Sequence, residues 1–388
     1  MADRIQRLNL DYEVLTPLFL GDADQTQVEL RPPTLKGLLR FWYRAADPKH
    51  AKQEAELFGG TEDSGQAPFL LRVRVEKSTK WEWNSDLIAR YDEGRGRQTR
   101  NGLRYLGYPF DPRLQSGDKR IALGPGSRFR MDIVFHRKAE PEQRQNQRRA
   151  VLTAAWLLGH LGGAGSRSRR GFGSLALQGW DGLRPEEQEA LPLLAEATDA
   201  DAWRRGYERA RRTLRDWFGD FDAGARPPNP HLGNRTRLWI EPSSDKDPLR
   251  LLNAMGRRLQ DFRVRRAPDY QRVKDHLSGG PRLSRTPERA AFGLPLTFRY
   301  GSLGGRSVTF APYDPKEKTT LERHGSLLLL RVARLADGLH PLFLRLDGAT
   351  PGEDQQTTPV APRGEGRPLL SRGEDLLDRF INHLSESR

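Results

Sequence analysis

The chain has 388 residues, enough for two domains of ordinary size, and carries 65 Lys and Arg against 51 Asp and Glu. A formal charge of +14 and a pI near 10.2 point to an anionic partner, although a GC-rich genome also enriches arginine. The absence of cysteine excludes disulfides, thiolate metal sites and cysteine nucleophiles; with no run of roughly eighteen apolar residues and no signal-peptide core, the expectation is a cytoplasmic protein without membrane contact.

Ile5, Leu8, Leu10, Tyr12 and Val14 alternate largely with polar positions, so 5–15 reads as a half-buried strand. A loop over 19–30 leads into Arg-Pro-Pro-Thr-Leu-Lys-Gly-Leu-Leu-Arg-Phe-Trp-Tyr-Arg at 31–44. Pro32 and Pro33 suit only the first turn of a helix, where fixed φ and a missing N–H cost nothing. Leu35, Leu38, Leu39, Trp42 and Ala46 then share an apolar face, and Lys36, Arg40 and Arg44 form a basic rail on another. In an isolated amphipathic helix such a rail would be a solvated face. A short helix over 52–58 stops at Gly59-Gly60, followed by strands over 69–76 and 128–137, a helix over 141–160 and a strand over 174–178. The order is βαββαβ, the ferredoxin-like arrangement that RRM-type RNA binders share.

The interval 77–125 is longer than a compact βαββαβ fold needs. Its Trp81, Trp83, Tyr91, Tyr105 and Tyr108, set among Lys77, Lys80, Arg90, Arg95, Arg97, Arg100 and Arg104, suit base stacking or a small satellite core. Gly162-Gly163-Ala164-Gly165-Ser166-Arg167-Ser168-Arg169-Arg170-Gly171-Phe172-Gly173 is the second anchor. Glycines let backbone N–H groups approach an anion and arginines fork onto phosphate, while the Walker A and dinucleotide patterns are both missing. Beyond 179, helices are expected over 185–218, 248–262 and 374–384 and strands over 235–240, 294–300 and 308–312. A hairpin of 327–335 with 342–346 turns at 336–338, and a polar loop covers 351–366.

The 31–44 motif, Glu56-Leu57-Phe58-Gly59-Gly60-Thr61 and the loop ending Arg169-Arg170-Gly171-Phe172-Gly173-Ser174 resemble the RAMP superfamily of CRISPR proteins. Within it, the family of the first Cmr subunit of type III-B effector complexes is the nearer likeness. The resemblance is dense in the first half and thins later to 289–295 and the hairpin. It implies an α+β chain of two ferredoxin-like (RRM-like, βαββαβ) domains packed together: 1–180 with the 77–125 insertion, and 181–388 with helical additions. It also implies a non-catalytic RNA-binding subunit in antiviral defence, holding crRNA and target RNA near the 3′ end of the crRNA beside other Cmr subunits.

The expected RNA-binding residues are Arg31, Lys36, Arg40, Trp42 and Arg44 on the helix, and Gly162, Gly163, Gly165, Ser166, Arg167, Arg169, Arg170, Gly171 and Phe172 on the loop. Topology sets the loop beside 31–36, and valine at 163 or 165 is expected to harm binding more than folding. The competing class is a metal-independent RAMP-type endoribonuclease acting on CRISPR RNA. Its histidine base would be His160, better placed than His50 or His136, and a cleaving aspartate would be Asp22 or Asp24. Asp22-Ala23-Asp24 lacks the further ligands of a cation loop, so no metal and no cofactor are assigned.

Overall fold

A computed structural model describes residues 6–21, 28–60, 65–94, 99–111, 120–136, 140–222, 229–264, 267–349, 360–364, 368–369 and 375–386. Its first elements are β1 (Arg7–Val14), α1 (Pro32–Ala46), α2 (His50–Phe58) and β2 (Phe69–Lys77). The interval that follows holds β3 (Lys80–Glu82), α3 (Ser85–Ala89), α4 (Gly102–Leu106) and β4 (Ile121–Leu123). β5 (Arg128–Phe135), α5 (Pro141–Leu161) and β6 (Leu175–Asp181) complete the expected βαββαβ series.

The main sheet runs β2-β5-β1-β6, with β1 antiparallel to both neighbours and β2 antiparallel to β5. Period-two alternation buries Leu8, Leu10, Tyr12 and Val14 of β1 against Phe129, Met131 and Ile133 of β5. Tyr12 stacks on Phe129 at 5.2 Å and its hydroxyl donates 2.9 Å to the Ala155 carbonyl, which fixes α5 to this face. The second half of α5 is buried almost all round, and Gly159 lets it approach Leu177 of β6.

The interval between β2 and β5 folds as a packed piece. β3 pairs with β4, and Asn84 and Asn101 cap α3 and α4 through their side-chain oxygens. Trp83 is buried and meets Phe110 and Phe172 at 5.8 and 6.1 Å, with Phe19 stacked on Phe110 at 3.8 Å. The satellite-core role therefore holds for Trp83, whereas Tyr108 stays 53% exposed; Arg95 and Arg97 lie outside the described residues.

After β6, the single helix expected over 185–218 is broken into α6 (Pro185–Ala190) and α7 (Ala200–Phe218). Pro192 cannot continue a helix, and Asp199 restarts one by accepting 2.7 Å from the Ala202 N–H. Next come β7 (Arg237–Ile240), α8 (Pro248–Val264), α9 (Ala267–Leu277), β8 (Leu296–Tyr300), β9 (Arg306–Asp314) and β10 (Thr319–Thr320). The hairpin is β11 (Leu328–Leu335) with β12 (Gly338–Arg345), followed by β13 (Val360–Pro362) and α10 (Leu376–Glu386).

Two compact units emerge, neither continuous in sequence. The first is Met1–Ala223 with Ile240–Arg257 and Leu330–Leu342; the second is Gly224–Trp239, Arg258–Leu329 and Phe343–Arg388. In the second unit β9 lies between β10 and β13 and also pairs with β8, around a core of Val273, Leu294, Phe298, Tyr300, Phe310 and Val360. A second four-stranded sheet in the βαββαβ order is not seen among the described residues. The fold is thus mixed α and β with antiparallel sheets.

Candidate nucleic-acid interface

Pro32 and Pro33 do occupy the first two positions of α1, and Leu35, Leu39, Trp42, Tyr43, Ala45 and Ala46 are buried. The basic side is less open than its spacing implies. Arg40 donates 2.6 Å to Glu54 of α2, and Arg44 grips the same carboxylate at 2.5 and 2.6 Å. Burial opposes the charge on Glu54, but the bonds from Arg44 and Arg40 outweigh it and hold its carboxyl below the ordinary range. Two of the three rail cations are therefore turned onto their own chain. Lys36 is half-buried with Nζ 5.9 Å from the Phe69 ring, and its pKa is lowered by burial and by Arg40. Arg31 is exposed and pairs with exposed Glu29 at 2.6 Å.

The glycine-rich loop is stitched to the segment after β1. Ser166 N–H donates 2.7 Å to the Phe19 carbonyl, Gly173 N–H 2.9 Å to Pro17, and Ala164 N–H 2.9 Å to Gly173. Thr16 donates 2.7 Å to the Gly171 carbonyl and accepts 2.9 Å from Ser174 N–H. Several donors expected to face an anion are thus spent inside the molecule. The glycines serve the same purpose: a Cβ on Gly165 would strike the Phe19 carbonyl, and one on Gly163 would sit 2.8 Å from the Gly173 oxygen. A Cβ on Gly162 would lie 2.5 Å from Trp42 Nε1, and one on Gly171 would meet Leu252. Phe172, fully buried, belongs to the aromatic cluster, and Trp42 is 1% exposed. Both, expected as RNA contacts, lie in the core, and the glycines stand where close chain packing demands them.

The loop arginines are set on aromatic rings. Arg167, at φ +64°, donates 2.9 and 2.7 Å to the Leu106 carbonyl while its guanidinium lies 4.8 Å from the Tyr108 ring centre. Arg169 lies 5.5 Å over Phe41 of α1, and burial lowers its pKa. Arg170 is half-buried and forms a parallel bridge with Leu330, whereas Ser166 is exposed. The two anchors meet at Phe41 and Trp42 of the helix. Of the rings under these arginines, Tyr108 belongs to the insertion aromatics expected to stack or pack, whereas Phe41 was not expected; its signal was an aromatic at the border of a basic face. Glu54 had no such signal.

Of the catalytic candidates, His160 is 3% exposed, and burial, aided by Arg331, pushes its pKa well below the ordinary value. A neutral imidazole sealed in α5 cannot reach a ribose hydroxyl. His50 Nδ1 sits 2.9 Å from the Asp47 carbonyl and His136 is exposed at the end of β5; Asp22 and Asp24 lie outside the described residues. Among the described residues no group of acidic or histidine side chains is arranged to hold a metal, and no helix is long and apolar enough to cross a membrane.

The four-stranded βαββαβ sheet carries a proline-led helix against a glycine- and arginine-rich loop, and residues 11–176, which include them, match the RAMP superfamily. The chain carries a RAMP superfamily domain over these residues. More particularly, it is 28% identical over 189 residues to the CRISPR system Cmr subunit Cmr1-2 of Pyrococcus furiosus, spanning 43% of this chain and 93% of that one. The crystal structure of apo Cmr1 from Pyrococcus furiosus superposes with a TM-score of 0.61 at 18% identity, covering 97% and 96% of the two chains. A chain of the type III-B Cmr-β structure bound to cognate target RNA and AMPPnP in the presence of ssDNA gives 0.56 at 12% identity, covering 88% and 95%. At those identities the likeness to the solved structures is one of fold.

Proposed function

We propose that the chain is a non-catalytic RNA-binding subunit of a type III-B Cmr effector complex, acting in the cytoplasm on crRNA and target RNA near the 3′ end of the crRNA. The observation that carries this is the pairing, on a RAMP domain, of Arg169 over Phe41 and Arg167 over Tyr108 beside exposed Ser166. Cations held beside aromatic rings offer charge to phosphate and stacking surface to a base without reading sequence. Other Cmr subunits and both RNAs are the partners, in keeping with the related assembly bound to target RNA.

Affinity of the chain for single-stranded RNA is expected to fall steeply with salt, with a slope of about −0.7 per phosphate neutralised, and to vary little with sequence. Arg169→Ala and Phe41→Ala should each weaken binding, by roughly tenfold for the arginine, and should couple in a double-mutant cycle because the ring orients the guanidinium. A flat salt response removes the reading. RNA incubated with the chain, with or without divalent metal, should stay intact; site-specific products would restore the endoribonuclease class.

Glu54→Gln supplies a separate check. It releases Arg40 and Arg44, so RNA affinity at low salt should rise severalfold while stability drops by about 1 kcal/mol from the lost charge-assisted bonds. Unchanged affinity in a folded variant shows that Arg40 and Arg44 only fasten α1 to α2.

A further inference from the structure

The sheet face opposite α1 and α5 carries a different chemistry from the loop site. Alternation along the strands puts Arg7 and Asn9 of β1, Leu70, Arg72 and Arg74 of β2, and Asp132 and Val134 of β5 on that face, lining a cavity of 420 Å³. The register groups them in rows: Arg7 with Val134 and Leu70, then Asn9 with Asp132 and Arg72. Arg74 pairs with Asp132 at 3.2 Å, and Arg130 pairs with Asp11 at 2.6 Å and with Glu76 at 3.6 Å. Arg7 and Arg72 have no ionic partner among the described residues. Two uncommitted guanidiniums therefore flank an apolar floor of Leu70 and Val134.

The strand beside this cavity is also open. Among the described residues β2 pairs only with β5, so its other edge, nine residues long, presents unpaired backbone groups. Leu70 and Val75 on it are 54% and 48% exposed, two of the few large apolar side chains left in water. A long edge with exposed apolar residues is an aggregation hazard unless something covers it.

We propose that the edge of β2 and the adjoining cavity receive an extended segment of a partner protein in which an apolar and an acidic residue stand two positions apart. Main-chain pairing along β2 supplies the register; residues two apart on the added strand then face the same side, placing an apolar side chain beside Leu70 and a carboxylate beside Arg72. Charge decides between occupants. The rows hold no aromatic ring for a base, and Asp11, Glu76 and Asp132 interrupt the arginines, so a phosphate backbone is disfavoured. A second copy is disfavoured as well, since two β2 strands centred on Val73 would set Arg72 against Arg74. This surface is independent of the RNA path.

The test uses the full-length chain and a fluorescent peptide of about ten residues repeating Leu-Ser-Asp-Ser, with a control of equal composition in which Leu and Asp are segregated into two blocks. The Leu-Ser-Asp-Ser repeat is expected to bind, to protect amides of residues 69–77 from hydrogen exchange, and to outcompete the block control. Arg72→Glu, exposed and checked for native circular dichroism, should weaken it by roughly tenfold, and a Leu-Ser-Lys-Ser repeat should regain binding to the reversed variant. Equal binding of the block control, or indifference to Arg72→Glu, overturns the proposal. So does RNA affinity that falls with Arg72→Glu while the peptide fails to bind, or a dimer in sedimentation that Leu70→Lys dissolves.

Discussion

Gly173→Ala is expected to lower the stability of the chain by about 2–4 kcal/mol, seen as a reduced urea midpoint with little change in slope. Gly173 sits at φ +63°, where a side chain costs about 1–2 kcal/mol on backbone grounds alone. Its new Cβ would also press on the Ala164 carbonyl, across the turn that Ala164 N–H closes by donating 2.9 Å to Gly173. Relieving that clash stretches the turn and the 2.9 Å bond from Gly173 N–H to Pro17, each worth about 1 kcal/mol. Gly37 is the control: it lies exposed in α1 with no atom within 4 Å of an added Cβ, so Gly37→Ala should stabilise by about 0.5–1 kcal/mol. Equal, small effects at both positions would show that the loop tolerates bulk. The same reasoning reverses the expectation for valine at 163 and 165, where folding is harmed first.

What the sequence shows of this molecule follows the range of the forces involved. The start of α1, its buried Leu35, Leu39, Trp42 and Ala46 and the strands of the main sheet were legible because proline chemistry and periodicity act within a few residues, whereas Leu38 is half-buried and Tyr43 and Ala45 are buried besides. The glycine-rich loop was legible but the packing role of its glycines was not, since close approach to a phosphate and close approach to Phe19 or Gly173 demand the same residue type. Arg40 and Arg44 looked like an open rail because their partner, Glu54, sits on a separate helix and no periodicity links the two. α9 was missed although Tyr270, Val273 and Leu277 carry helical spacing, and Pro192 with Asp199 announced the break in the 185–218 helix. Least legible was the second unit, whose segments are separated by stretches that pack elsewhere.

Arg345→Met is expected to destabilise the second unit by about 3–5 kcal/mol, the range for removing one partner of a buried ionic cluster. Arg345 is fully buried; it pairs with Asp375, lies 3.0 Å from Asp378 and 3.7 Å from Asp347, and Asp375 is also held by Arg235. Asp375 in turn starts α10 by accepting 2.9 Å from Leu377 N–H, so the cluster fastens that helix. Burial works against the charge on Asp375, but Arg345 and Arg235 hold its pKa below the ordinary value. Asp378 goes the other way: burial, with the neighbouring charge of Asp375, raises it from 3.8 to about 6 despite Arg345. A raised carboxyl costs nothing below its unfolded value and imposes its full cost above its folded value. Asp378→Asn, which keeps an oxygen acceptor and removes the charge, should therefore stabilise the chain by about 1–3 kcal/mol at pH 8, with the gain shrinking through pH 6 and gone near pH 4. Lost pairing at Asp375 appears only at lower pH still, which separates the two effects in a series of urea titrations. A pH-independent difference between Asp378→Asn and the parent would mean that Asp378 is not buried beside Asp375, and a mild Arg345→Met would mean that α10 is held by its apolar face alone.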